Sequence, residues 1–104
     1  MEHLSGRTWL RSHEEEDGPT RVYRPEGGHT FPPARGREGL VFHEDGRFEY
    51  RQAGRGDRPD AVTGAWWFAP GLGDRVLADV GGEEIELRIT EAAADVLRLE
   101  WLRP

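Results

Sequence analysis

Along the second half of the chain apolar and polar side chains alternate: Ile85, Leu87 and Ile89 are interleaved with Glu84, Glu86, Arg88 and Thr90. A period of two belongs to a β-strand with one face in the core and one in water. Leu97, Leu99 and Trp101 against Arg98 and Glu100 repeat the pattern, as do Phe48 and Tyr50 against Arg47, Glu49 and Arg51. Weaker stretches over 8–13, 20–24, 38–43, 62–69 and 74–80 complete a set of eight short strands, divided by Gly, Pro and Asp clusters. The one helix-prone piece, 91–94, is long enough for about one turn.

Loop length sets which side chains share a face, so the turns test the strands. Gly81-Gly82 suits a two-residue turn with both residues at positive φ, which pairs Ala78 with Ile85 and Val76 with Leu87. At Glu44-Asp45-Gly46 a three-residue loop, with Gly46 as the left-handed bulge residue, pairs Phe42 with Phe48 and Leu40 with Tyr50. A five-residue loop over 91–95 pairs Ile89 with Leu97 and Leu87 with Leu99. Short antiparallel strands with one apolar face each need a second sheet or closure on themselves. The expected architecture is all-β: one domain over 1–104, a small up-and-down antiparallel β-barrel of about eight strands. Its inward set is Trp9, Val22, Leu40, Phe42, Phe48, Tyr50, Val62, Trp66, Phe68, Val76, Val80, Ile85, Leu87, Ile89, Leu97, Leu99 and Trp101. Such a set fills most of a short barrel, so a cavity requires residues set back near one mouth.

The order Gly6-x-x-Trp9, Phe42-x-x-Asp45-Gly46-x-Phe48 and Gly64-x-Trp66, closed by the alternating runs at 85–89 and 97–101, resembles small bacterial lipocalin-like domains of the calycin type. The resemblance spans residues 6–102 and implies an up-and-down barrel that often carries a small hydrophobic ligand. At 104 residues the chain is shorter than a typical lipocalin, which implies a shallower cup.

Composition narrows the function. The chain is 36% hydrophobic and 33% charged, yet its four Trp, two Tyr and four Phe argue for a folded core rather than disorder. With no cysteine, a disulfide scaffold, a thiolate zinc site and a cysteine nucleophile are all excluded. The longest apolar run, 65–69, is far short of the ~20 residues that span a bilayer, and the first residues carry no basic-then-apolar export signal. A cytoplasmic protein without a membrane partner is expected. A net charge of -6 disfavours nucleic acid as a partner. All 14 basic residues are arginine, whose planar fork makes bidentate contacts with carboxylates.

If the strands form a simple meander, successive loops alternate between the two ends. Loops 14–17, 44–47, 74–75 and 91–95 then make one end acidic, while the long loops 24–37 and 51–60, with Arg24, Arg35, Arg37, Arg51, Arg55 and Arg58, make the other basic. Long loops on a rigid scaffold are where binding residues concentrate. In 23–37, Phe31 and Pro32-Pro33 precede Arg35 and Arg37, which reads either as a lid with an anion-binding pair or as a plug whose arginines meet nearby carboxylates. The run His13-Glu14-Glu15-Glu16-Asp17 lacks the second histidine of a helical zinc site and reads as a solvated acidic loop, so neither metal nor cofactor is expected.

Three functions fit. The first is a non-enzymatic barrel for a small apolar or amphipathic ligand, with Trp9, Phe42, Phe48, Tyr50 and Trp66 walling the cup, Phe31 at the entry, and Arg35 or Arg37 meeting any anionic group. The second is a barrel catalyst of cyclisation or isomerisation. No serine elbow or phosphate loop is present, but proton transfer by Tyr23, Tyr50, His29 or an inward Glu stays open. The third is a protein-binding module using outward-facing Trp67 and the arginine-rich end, with a lid or a partner barrel in a homodimer as the alternative cover for Trp67.

Overall fold

Each alternating stretch is a strand in the computed structural model, which describes residues 3–32, 37–51 and 61–103. The strands are β1 (Thr8–Arg11), β2 (Arg21–Pro25), β3 (Gly39–Phe42), β4 (Arg47–Arg51), β5 (Ala61–Phe68), β6 (Arg75–Val80), β7 (Glu83–Ala92) and β8 (Leu97–Arg103). The helix among the described residues is a single 3-10 turn, His13–Glu15; residues 91 and 92, expected to start a helical turn, instead continue β7.

All eight strands pair antiparallel and close into a barrel in the order β1-β2-β8-β7-β6-β5-β4-β3. From β3 to β8 the chain meanders. The order departs from a simple meander at one place, because β1 lies between β2 and β3, and β2 closes the barrel against β8. Strands β2 and β3 therefore run in the same direction, so Glu26, after β2, and Glu38, before β3, lie at opposite ends of the barrel. Taking the β6–β7 turn as the upper end, segment 12–20 is also upper, and the β3–β4, β5–β6 and β7–β8 turns are lower.

This order overturns the sorting of acidic and basic loops to opposite ends. Glu14 forms a bidentate pair with Arg37 at 2.7 and 2.8 Å, and lies at the end opposite Asp45. The acidic run is exposed at His13, Glu14, Glu15 and Asp17, as a solvated segment should be, but its glutamates are paired with arginines. Glu15 takes Arg24 bidentately at 2.8 and 2.9 Å, and Glu16 takes Arg11 at 2.8 Å twice. The planar arginine fork is used three times within three consecutive residues.

The hairpin registers follow the turn chemistry. Phe42 pairs with Phe48 and Leu40 with Tyr50 around Gly46 at φ 93°. Ala78 pairs with Ile85 and Val76 with Leu87 around Gly81 and Gly82 at φ 61° and 87°. The β7–β8 register is the exception, since Ile89 pairs with Leu99 and Leu87 with Trp101. Here the strand runs on to Ala92, which pairs with Leu97, and a bulge between Ile89 and Glu91 takes up the extra residue. A four-residue turn and a one-residue bulge keep the same parity as a five-residue loop, so the inward faces still meet.

Trp9, Phe42, Phe48, Leu87, Leu97 and Leu99 fill the barrel at 0% exposure. Leu4 packs into the same core at the lower end, where the Trp9 indole N–H donates to the Leu4 carbonyl at 3.0 Å. Two members of the expected inward set are misplaced. In β2 it is Tyr23, paired with Leu97, that enters the core, while Val22 pairs with Arg98 on the outer face, buried beneath segment 12–16. Adjacent apolar residues carry no alternation from which to read parity. Phe68 has the inward parity of Trp66 but lies at the lower rim, 46% exposed and 5.2 Å from the Trp66 ring.

Candidate functional site

The inward side chains are unevenly sized along the barrel. The lower half holds Trp9, Phe42, Phe48 and Trp66, whereas the upper inward positions of β5, β6 and β7 include Val62, Val80 and Ile85, with Glu83 above Ile85 at the rim. Aliphatic side chains cannot reach across a space that aromatics fill below. The result is an open cup of about 250 Å³ in the upper mouth, lined by Tyr50, Val62, Val80, Gly81, Glu83, Ile85 and Trp101. Tyr50 and Val62 are direct partners across β4 and β5, and Val80 and Glu83 flank the β6–β7 turn.

One side of the mouth is braced by a buried carboxylate. Glu38, just before β3, is 8% exposed and receives the hydroxyl hydrogens of Tyr23 and Tyr50, the latter at 3.0 Å. Arg21 Nη1 donates to the same carboxylate at 3.1 Å, and Arg11 Nη1 lies 3.7 Å away. Burial, and then the Glu38 charge, push the Tyr50 hydroxyl up to about 12 and Tyr23 higher still. Both phenols stay protonated through the neutral range. The Arg21 guanidinium stacks 4.6 Å over the Trp101 ring, which Tyr50 meets edge-on at 5.5 Å. Among the described residues the buried indole Nε1 of Trp101 makes no hydrogen bond.

Of the residues singled out in the sequence, Tyr50 lines the cup. Trp9, Phe42 and Phe48 lie in the packed core below it. Trp66 sits at the lower end, its ring 5.4 Å from Phe42 and its indole N–H donating to the His43 carbonyl at 2.8 Å. Phe31 is outside the core, 4.7 Å from His29 and beneath the Arg37 guanidinium, also at 4.7 Å. Arg37 is occupied by Glu14 and by the carbonyls of Arg11 and Pro32, and its side chain is 7% exposed. Arg35 lies outside the described residues. Outward Trp67 is 39% exposed.

Sequence reading missed Glu38, Gly81 and Glu83 as site residues. It placed Val62, Val80, Ile85 and Trp101 on the inward face, and counting along the hairpin registers would have gathered them with Tyr50 into one layer. The burial of Glu38 depends on β2 and β4, distant in sequence, and no local signal marks it. Among the described residues no three His, Asp or Glu side chains are grouped to hold a metal ion, and no helix is long and apolar enough to cross a membrane. No protein-family model, curated protein or solved structure matches the chain.

Proposed function

We propose that the protein is a small-molecule-binding barrel that takes an apolar or amphipathic ligand in the upper cup. The observation that carries this is the cup itself: about 250 Å³ walled by Tyr50, Val62, Val80, Ile85 and Trp101, with Trp9, Phe42, Phe48 and Leu87 fully buried in the core. Concave, mainly apolar sites with a few fixed polar groups are the usual form of a ligand pocket. By volume the cup holds about eight water molecules, so the ligand is small or leaves part of itself outside.

The closed eight-stranded barrel supports the lipocalin-like reading, although β1 between β2 and β3 is not the up-and-down order which that resemblance implies. Catalysis is the weaker reading, because the Tyr50 proton is held by Glu38 and its acidity is lowered to about 12. A general acid works best with a pKa near the operating pH.

Trp101 supplies the assay. Titration with fatty acids, retinoids and polyketide-like compounds is expected to shift tryptophan emission, with the shift lost in Trp101→Phe. Val62→Trp, which fills the cup, is expected to abolish binding while leaving Tm within a few degrees. A flat response across the panel overturns the reading.

A further inference from the structure

The hydrogen-bonding groups of the cup are unevenly used, and this sets the chemistry of what it can hold. Three of its side chains carry polar atoms: Tyr50, Glu83 and Trp101. Tyr50 has one hydrogen, and it is given to Glu38. Tyr50 can donate to a ligand only by leaving a buried carboxylate short of a partner. The Trp101 Nε1 atom is buried, so it presents no N–H to the open cup. Glu83 brings a carboxylate, which can only accept. The side-chain capacity left in the cup is therefore all acceptor.

Charge points the same way. Of the arginines at the upper end, Arg11 and Arg21 are engaged by Glu16 and Glu38. Glu83 is exposed, lines the cup and, among the described residues, makes no ion pair, so it sets a negative charge at the rim. The Trp101 ring already accepts one cation on a face, in Arg21 at 4.6 Å, and the net charge of -6 favours approach of another.

The geometry points to an amphipathic amine or ammonium ion as the ligand class of this cup. Its hydrocarbon body lies against Val62, Val80 and Ile85, and its positive head meets Glu83 beside the Tyr50 and Trp101 rings. The inference rests on the binding function proposed above and reverses the expectation of an anionic ligand held by arginines. An organic carboxylate would find an acceptor wall and an unpaired carboxylate where it needs donors.

The test compares three probes with one tail, octylammonium, octanol and octanoate, titrated into the intact protein at neutral pH and low salt. Binding is read from backbone amide and indole shifts in proton–nitrogen NMR spectra. Octylammonium is expected to move the signals of Tyr50, Val62, Val80, Gly81, Ile85 and Trp101 and to bind about tenfold tighter than octanoate. Glu83→Gln is expected to bring that ratio close to one without changing octanol binding. Glu26→Gln, the same charge change at the lower end, should leave the ratio intact. If octanoate binds the cup as well as octylammonium, or Glu83→Gln leaves the preference unchanged, the amine assignment is overturned and the binding function stands. If no probe moves the cup signals, the binding function falls and takes the assignment with it.

Discussion

Glu38 is held by two tyrosines and two arginines, and its burial makes each of those bonds costly to lose. Removing one member of a buried charged cluster leaves the others unpaired, at about 3–5 kcal/mol. Glu38→Ala is expected to cost in that range by urea unfolding, while Glu38→Gln, which keeps an acceptor oxygen in place, should cost clearly less. Equal effects would mean that the side chain acts by packing alone. For Leu87 packing is the whole account, since it is fully buried and aliphatic. Leu87→Ala should cost ~2–5 kcal/mol, and Arg88→Ala, on the wet face beside Glu100, no more than about 0.5. That contrast between neighbours was legible in the alternation of residues 84–90. The role of Glu38 was not, because its partners Arg21, Tyr23 and Tyr50 come from strands that alternation does not bring together.

Hairpins are the level on which sequence and structure agree best. The two glycine turns set their registers through φ values that other residues adopt at a cost. At β7–β8, which has no such turn, the register moved by two residues while the faces stayed matched. Strand β5 shows a different glycine requirement. A Cβ on Gly64 would sit 1.6 Å from the Asp79 carbonyl oxygen of β6, an approach only backbone separation can relieve. Gly64→Ala is therefore expected to cost more than about 4 kcal/mol and to remove cooperative unfolding. A variant that melts within a few degrees of the parent would show that β5 and β6 part easily. The spacing Gly64-x-Trp66 was visible from the start, but the close approach that explains its glycine became visible only with β6 in place.

Across the molecule, the arginine–carboxylate pairs of Glu14, Glu15 and Glu16 tie segment 12–16 to β1, β2 and Arg37. The Arg37 bond lowers Glu14 from 4.5 to about 2, and the Arg24 bond does the same for Glu15. For Glu16 burial works against ionisation, but Arg11 and the Val22 amide outweigh it and the net shift is downward. A carboxyl whose folded value is depressed stabilises the fold fully above its ordinary range, and that contribution fades as pH falls towards the folded value. Tm is expected to be steady above about pH 5 and to fall between about 4.5 and 2, with a shallower fall in Arg37→Gln. Circular dichroism melts across this range provide the check, and a Tm that holds down to pH 2 would mean that the pairs contribute little, as exposed ion pairs often do.

Periodicity and turn length are local quantities, and they were sufficient for the eight strands, for most inward faces and for two of the hairpin registers. Both act between residues a few positions apart, where a one-residue error would turn a whole face from core to water. Barrel closure is different. Whether β2 pairs with β3 or with β8 changes neither alternation nor hairpin turn, so the insertion of β1 and the shared direction of β2 and β3 had no local signature. The cup and the Glu38 cluster inherit that dependence. Each gathers side chains from several strands at one end of the barrel, and their meeting there is fixed by closure rather than by any single stretch of chain.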